Sequence, residues 1–226
     1  MILKIGHRGA CGYEPENTLR SFEKALQLGV DMIELDVRIC KSGDLVVIHD
    51  DKLERTTNGE GRVSEKWLYD LRKLDAGKGE KIPLLEEVLD LIAGKVKVNI
   101  ELKEENIANY VFEIIEKYIK GDKWSQDDFL ISSFHLPALQ EFDNLNPDIK
   151  TGLLTFFLPK NLKKIVRKVN IHSVNPSATL INKNFIGDMK KKNTKVFVWT
   201  VNNPEDIQKM KLAGVDGIIS DYPDRI

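Results

Sequence analysis

IELDVR, residues 33–38, alternates apolar and charged side chains. On a strand, Ile33, Leu35 and Val37 fall on one face and Glu34, Asp36 and Arg38 on the other. Were the charged face turned to water, the pattern would be ordinary. The surrounding sequence predicts otherwise. Short β-rich runs at 2–8, 32–39, 96–103, 129–134, 150–155, 171–177, 195–201 and 216–220 alternate with helical periods, among them 18–26, 107–119, 183–192 and 204–212. Eight strands with helices between them predict an α/β chain, and eight is the number that closes a (β/α)8 TIM barrel. An open doubly wound sheet is the rival, weakened because no G-x-G-x-x-G follows the first strand. In a barrel the charged face of 33–38 points into a closed interior. Two carboxylates about 7 Å apart there require a partner.

One stretch breaks the alternation. Ser42-Gly43-Asp44 is a hairpin turn, so 45–49 is expected to return beside the second strand. Residues 51–82 then form a glycine-punctuated insertion around a short helix at 64–74, on the side where βα loops build barrel active sites. The chain reads as a single domain, 1–226, with little room for a final helix, so the last seam of the barrel is thinly covered and a homo-oligomer is conceivable.

Bulk properties narrow the function. A net charge of −1 argues against nucleic acid or an anionic membrane as partner, and no apolar run is long enough to span a bilayer. The apolar start runs straight into Gly6, so no secretory leader is expected, and Cys11 and Cys40 are too few for a disulfide framework. Both features predict a cytoplasmic protein. Cys11 lacks a nucleophile signature despite its nearness to His7 and reads as a small residue. The high Lys and Glu content is of the kind seen in thermophiles.

Polar residues gather at the strand ends. Strand one ends in His7-Arg8, the hairpin return in His49-Asp50, and Asn99, Glu101 and Lys103 share a face of the third barrel strand. Glu34, Asp36 and Glu101 converging on one mouth fit a hard divalent cation held by oxygen ligands. A salt-bridge network with Lys103 and Arg38 fits the same spacing. A glycosidase pair would leave the histidines and cations without a role. His7 and His49 suit a general acid and base near neutral pH. Arg8 can fork onto a phosphate oxygen, with Lys103 as a point charge beside it. Together these describe phosphoryl transfer from an anionic diester, with a metal as Lewis acid, two cations and two proton handlers. His135 and His172 read as structural. Phe197, Trp199 and Val201 are expected on one face, and Trp199 with Phe134 forms either an apolar wall of the mouth or ordinary barrel packing.

GHRGACGYEPENT (6–18), ELDVRICKSGDLVVIHD (34–50), NIELK (99–103) and VWTVN (198–202) resemble, in order and over nearly the whole chain, the glycerophosphodiester phosphodiesterases. The resemblance implies a TIM barrel with a small insertion after the second strand. It implies one divalent metal, Ca²⁺ or Mg²⁺, on Glu34, Asp36 and Glu101. His7 and His49 match the catalytic pair, Arg8 the phosphate contact and Lys103 the charge-stabilising lysine. The implied reaction is hydrolysis of a small glycerophosphodiester to an alcohol and sn-glycerol 3-phosphate, with a lysophospholipid-directed phosphodiesterase as the second reading and an idle binding protein for phosphorylated polyols as the third. Glu16 supports the site in that family, and Asn17 is either part of the signature or the cap of the helix near Thr18.

Overall fold

The computed structural model describes residues 2–157, 162 and 169–226. Its strands are β1 (Leu3–Gly6), β2 (Met32–Ile39), β3 (Leu45–Val47), β4 (Lys97–Leu102), β5 (Phe129–Ser133), β6 (Lys150–Thr155), β7 (Ile171–Pro176), β8 (Lys195–Val198) and β9 (Gly217–Ser220). Eight of them are parallel, in the order β1-β9-β8-β7-β6-β5-β4-β2, and β2 pairs back onto β1 to close the barrel. β3 is the expected hairpin return, antiparallel to the end of β2 through Val37–Val47 and Ile39–Leu45. Its turn closes with Cys40 N–H donating to the Asp44 carbonyl at 3.0 Å, and Gly43 takes φ +90°, a conformation that costs glycine no Cβ clash.

Helices α1 (Leu19–Gln27), α2 (Leu68–Leu71), α3 (Leu85–Ile92), α4 (Ala108–Ile119), α5 (Leu136–Leu145), α6 (Lys183–Lys190) and α7 (Pro204–Ala213) are described. The sequence-based bounds of α1, α4 and α7 agree within a residue, and α3 and α5 come in addition. Local chemistry sets the ends. Thr18 Oγ1 accepts from Ser21 N–H to start α1, and Asn182 Oδ1 accepts from Phe185 N–H to start α6. Pro204 opens α7, and Gly214 closes it at φ +82°.

Two apolar layers hold the barrel. Ile33, Leu35 and Val37 are wholly buried and pack outward, in the same cluster as Leu85, Val88, Leu89 and Ile92 of α3. Burying each such side chain contributes about 1.5–3 kcal/mol. Truncating Leu35 to Ala costs about 2–5 kcal/mol, the lost transfer energy plus a cavity. Inside the barrel Ile5, Met32, Leu130, Phe197 and Ile219 form a smaller plug beneath the polar mouth.

The insertion has its own core, with Leu53, Val63, Leu71 and Ile82 packed on Val46 and Ile48. The helix expected at 64–74 is two pieces, a 3-10 turn at Val63–Glu65 and α2. Lys66 and Trp67 are extended between them, because the hairpin claims this backbone: Lys41 N–H donates to the Lys66 carbonyl and Leu68 N–H to Ser42 Oγ. After β9 the chain ends in a 3-10 turn, Pro223–Arg225, with Pro223 buried and Ile226 against the outer core.

Candidate active site

β2 and β4 run in register with Asp36 opposite Glu101 and Glu34 opposite Asn99, all facing inward. Glu34 is 4% exposed, Asp36 0% and Glu101 6%, and one oxygen of each lies within 4.8 Å of the others. Three buried carboxylates meet two cations. Lys103 Nζ donates to Glu101 Oε1 at 2.6 Å and lies 3.3 Å from Asp36 Oδ1, and Arg8 Nε lies 3.3 Å from Asp36 Oδ2. The Arg8 backbone N–H donates to Glu34 Oε2 at 2.9 Å.

Those contacts leave the cluster short of positive charge. Burial, with Asp36 beside it, pushes the Glu101 carboxyl up to about 8, and burial raises Glu34 in the same direction. Lys103 and Arg8 outweigh burial only at Asp36, which they hold well below the carboxylate range. Among the described residues, Asp36 Oδ1 accepts no hydrogen bond in spite of its burial, and the Asn99 side chain next to the cluster has no partner. Three hard oxygen donors with one unsatisfied oxygen fit a divalent cation such as Mg²⁺ or Ca²⁺. The salt-bridge reading holds for Lys103 but fails for Arg38, whose guanidinium bonds the His49 carbonyl and Glu104.

Each histidine is tied by Nδ1 to a carboxylate at 2.6 Å, His7 to Asp221 and His49 to Asp50. With Nδ1–H donating, Nε2 is the nitrogen left for the mouth. Burial disfavours the charged form of both. At His7, Asp221 and Glu34 overcome it and the pKa rises; at His49, burial with Lys103 and Arg8 wins and the pKa falls. Both histidines line one cavity of about 110 Å³ together with Arg8, Glu34, Glu101 and Trp199.

The 7–18 loop is built around these groups. Gly9 takes φ +86°, and a Cβ there would stand 2.4 Å from Ser21 Oγ, so only glycine lets the loop press on α1. Asn17, at φ +56°, donates through Nδ2 to Asp36 Oδ2 at 2.8 Å. The capping reading of Asn17 is therefore corrected: Thr18 caps α1, and Asn17 holds a site carboxylate. Glu16 Oε1 accepts from Arg8 Nη1 at 2.7 Å. Arg55 of the insertion reaches the same Glu16 at 2.7 and 2.8 Å and Asp50 at 2.6 and 3.0 Å. One guanidinium thus joins the supports of Arg8 and of His49.

The far wall is aromatic. Phe134 stacks on Phe156 at 4.7 Å, and Trp199 meets both edge-on. Trp199 Nε1–H donates to the Asn175 carbonyl at 2.6 Å, which fixes the indole. Val201 does not share this face. β8 ends at Val198, the period of two stops there, and Val201 packs in the outer layer. His135 flanks α5, 3.5 Å from Glu105, while His172 lies at the opening end of β7 near Lys150, away from the mouth. The residues after β6 include an apolar run, 153–158, that the sequence offers as the only obvious hydrophobic loop for acyl chains; its last residue, Leu158, lies outside the described residues.

Sequence reasoning missed Asp221, Asn202 and Arg55. Asp221 directly follows the last strand, at the end where strand one delivers His7, and that position, within DGIISDYPDRI (216–226), a stretch that also resembles the family, could have pointed to it. Among the described residues no helix is long and apolar enough to cross a membrane.

The chain is similar throughout to proteins of one kind. The model of the Glycerophosphoryl diester phosphodiesterase family matches residues 7–225. A glycerophosphodiester phosphodiesterase of Caldanaerobacter subterraneus is 40% identical over 234 residues, covering 99% of this chain and 96% of its own, and one of Bacillus altitudinis is 36% identical over 235 residues, covering 98% and 95%. The structure of an Oleispira antarctica phosphodiesterase in complex with the product sn-glycerol-3-phosphate superposes with a TM-score of 0.91 at 32% identity, covering 98% of this chain and 94% of that one. A closed barrel carrying this mouth and a match over nearly all of its length place the chain in the glycerophosphoryl diester phosphodiesterase family.

Proposed function

We propose that the protein hydrolyses glycerophosphodiesters to an alcohol and sn-glycerol 3-phosphate, with a divalent metal on Glu34, Asp36 and Glu101 and the pair His7/His49 as proton carriers. One observation carries this reading: both histidines, each anchored through Nδ1 at 2.6 Å, line the same small cavity as the under-compensated carboxylates. When bound, the metal supplies Lewis-acid polarisation of the phosphate. Arg8 and Lys103 offset the diester's charge as it moves onto the non-bridging oxygens. One histidine takes the proton of the glycerol 2-hydroxyl as that oxygen attacks phosphorus, and the other gives its proton to the departing alcohol. Water then opens the cyclic phosphate with the two roles exchanged. Asp50 and Asp221 keep Nε2 of each ring on the substrate side. The wall of Trp199 and Phe134 excludes water and receives the glycerol carbons. Residues 1–226 act as one catalytic domain, and two unpaired cysteines suit the reducing cytoplasm, where we place it.

The second reading, a lysophospholipid substrate, is favoured by Phe156 and Phe157, each 66% exposed beyond β6. The test is an assay matrix: glycerophosphocholine, glycerophosphoethanolamine and lysophosphatidylcholine against Ca²⁺, Mg²⁺, Mn²⁺ and chelator, with released glycerol 3-phosphate measured for the two glycerophosphodiesters and released choline and lysophosphatidic acid for lysophosphatidylcholine. Glycerophosphodiester turnover that needs a divalent ion is expected, and His7→Ala and His49→Ala each lower kcat by about 10²–10⁴. A full rate under chelator, or a wild-type rate in either variant, overturns the reading.

A further inference from the structure

Beside the carboxylate centre lies a second group of donors of different character. Cys11 Sγ lies 2.9 Å from Asp221 Oδ1 and 3.9 Å from His7 Nδ1, and the latter two atoms are 2.6 Å apart. All three residues are half-buried, whereas the three carboxylates are buried. The loop after β1 supplies Cys11 and His7, and Gly12 N–H donates to the Asp221 carbonyl at 2.9 Å, so loop and chain end are fastened together. Asn202 Nδ2 donates to the other oxygen of Asp221 at 2.6 Å, the kind of outer bond that orients a metal-binding carboxylate.

We propose that His7, Cys11 and Asp221 form a second metal site, selective for a thiophilic divalent ion of the Zn²⁺ type, and that its occupation silences the enzyme. The donor set is sulfur, imidazole nitrogen and carboxylate oxygen, the three types that Zn²⁺ takes, with a fourth position open to solvent. Tetrahedral Zn²⁺ with bonds of about 2.0–2.3 Å needs donors about 3.3–3.6 Å apart. From the distances here, the two short edges open and the long one closes, each by less than about 1 Å. Mg²⁺ and Ca²⁺ avoid thiolate, so the two centres sort ions by hardness.

Occupation replaces protons by metal. The thiol proton is released to solvent. The Nδ1 proton of a neutral His7 leaves that nitrogen, and the metal-bound neutral ring carries its proton on Nε2. Burial and the Asp221 carboxylate raise the Cys11 thiol, so it stays protonated until a metal reverses that preference. With Nε2 protonated and Nδ1 on the metal, His7 accepts no proton from substrate. The inhibitory half rests on the proton-carrying role given to His7 above; the binding half does not.

The test uses Co²⁺ as a spectroscopic probe on the Mg²⁺-saturated full chain. A thiolate-to-cobalt charge-transfer band is expected, which the oxygen-only carboxylate centre does not give, and Zn²⁺ should bleach it. Cys11→Ser, which keeps a hydroxyl donor for Asp221, should lose the band and raise the Zn²⁺ concentration for half-inhibition at least about tenfold. Cys40→Ser, at the buried cysteine of the hairpin, should change neither. No band, a band that survives Cys11→Ser, or one that disappears with Cys40→Ser overturns the site. A Cys11-dependent band without loss of turnover overturns the inhibition and leaves the binding standing. Loss of all turnover in wild type without any metal effect instead refutes the activity on which the inhibitory half rests.

Discussion

Arg55→Gln tests whether the insertion organises the chemistry or only covers it. Arg55 makes four N–H···O contacts, two to Glu16 and two to Asp50, between 2.6 and 3.0 Å. Its side chain is 48% exposed, so solvent screens these pairs and the stability they add is about 1 kcal/mol rather than the sum of four charge-assisted bonds. Catalysis is more exposed to the loss. Without Arg55, Asp50 keeps His49 and Glu16 keeps Arg8 as side-chain partners among the described residues. Both supports gain rotamer freedom, and a displacement near 1 Å of a catalytic group costs on the order of 10²-fold in rate. We expect kcat to fall about 10–100-fold, with a smaller rise in KM through Arg8. Arg55→Lys should recover little, because a single ammonium nitrogen cannot reproduce the paired contacts that the planar guanidinium makes to each of the two carboxylates. The assay is steady-state release of glycerol 3-phosphate, with a urea midpoint measured alongside to separate unfolding from mispositioning. A kcat within twofold of wild type in Arg55→Gln would refute the reasoning, since the clamp would then be packing alone.

Further predictions follow from the same contacts. On the metal-site proposal, Mg²⁺ or Ca²⁺ should raise the Tm of the wild type, and Glu101→Gln should abolish activity and that rise, yet stabilise the metal-free fold. Burial and Asp36 hold the Glu101 carboxyl at about 8 in the folded protein against 4.5 ordinarily, so the unfolded chain releases a proton that the fold retains. The metal-free protein therefore loses stability as pH rises from about 4.5 to about 8, and the variant's Tm should not follow that slope. Asn17→Ala loses the bond to Asp36 and the polar side chain by which Asn tolerates the left-handed region better than Ala does, so it should cost about 2–3 kcal/mol by denaturant titration. Asn17→Gly removes the backbone part, and equal losses in the two variants would contradict the split. His172 is held down to about 4 by burial and by Lys150, Lys195 and Lys97. The unfolded state then binds the extra proton, and the fold weakens as pH falls from 6.5 to 4, by about 1 kcal/mol after allowing for partial exposure. His172→Gln should flatten that limb of a Tm-against-pH curve, and an unchanged limb would exclude it as the cause.

How much of this was legible in the sequence follows from what each element depends on. β2 and β6 match their expected bounds, since alternation and β-branched content are local properties, and the outward packing of Ile33, Leu35 and Val37 follows from a period of two once the barrel is closed. α5 was missed because its buried residues, Ala138, Leu139 and Phe142, make a narrow stripe after His135-Leu136-Pro137. α3 was missed because eight residues give a weak period. Trp199 and Val201 part company because a strand's period holds only while the chain stays extended.

The site divides along the same line. Glu34, Asp36 and Glu101 lie on barrel strands and His7 and His49 just beyond strand ends, where a period of two and the fold class together say which way they point. Their partners come from elsewhere: Asp221 is 214 residues from His7, and Arg55 is 39 from Glu16. Such pairs have no period or spacing to betray them, because they exist only once the barrel closes and the insertion folds over its mouth. Asn17 shows the other failure. Next to a helix start, an Asn is a cap by local rules, but one residue of difference in register hands that role to Thr18 and frees the amide for Asp36. A buried carboxylate that needs a donor thus outranks a local preference worth about 1 kcal/mol, which is why site supports defeat propensity wherever the two compete.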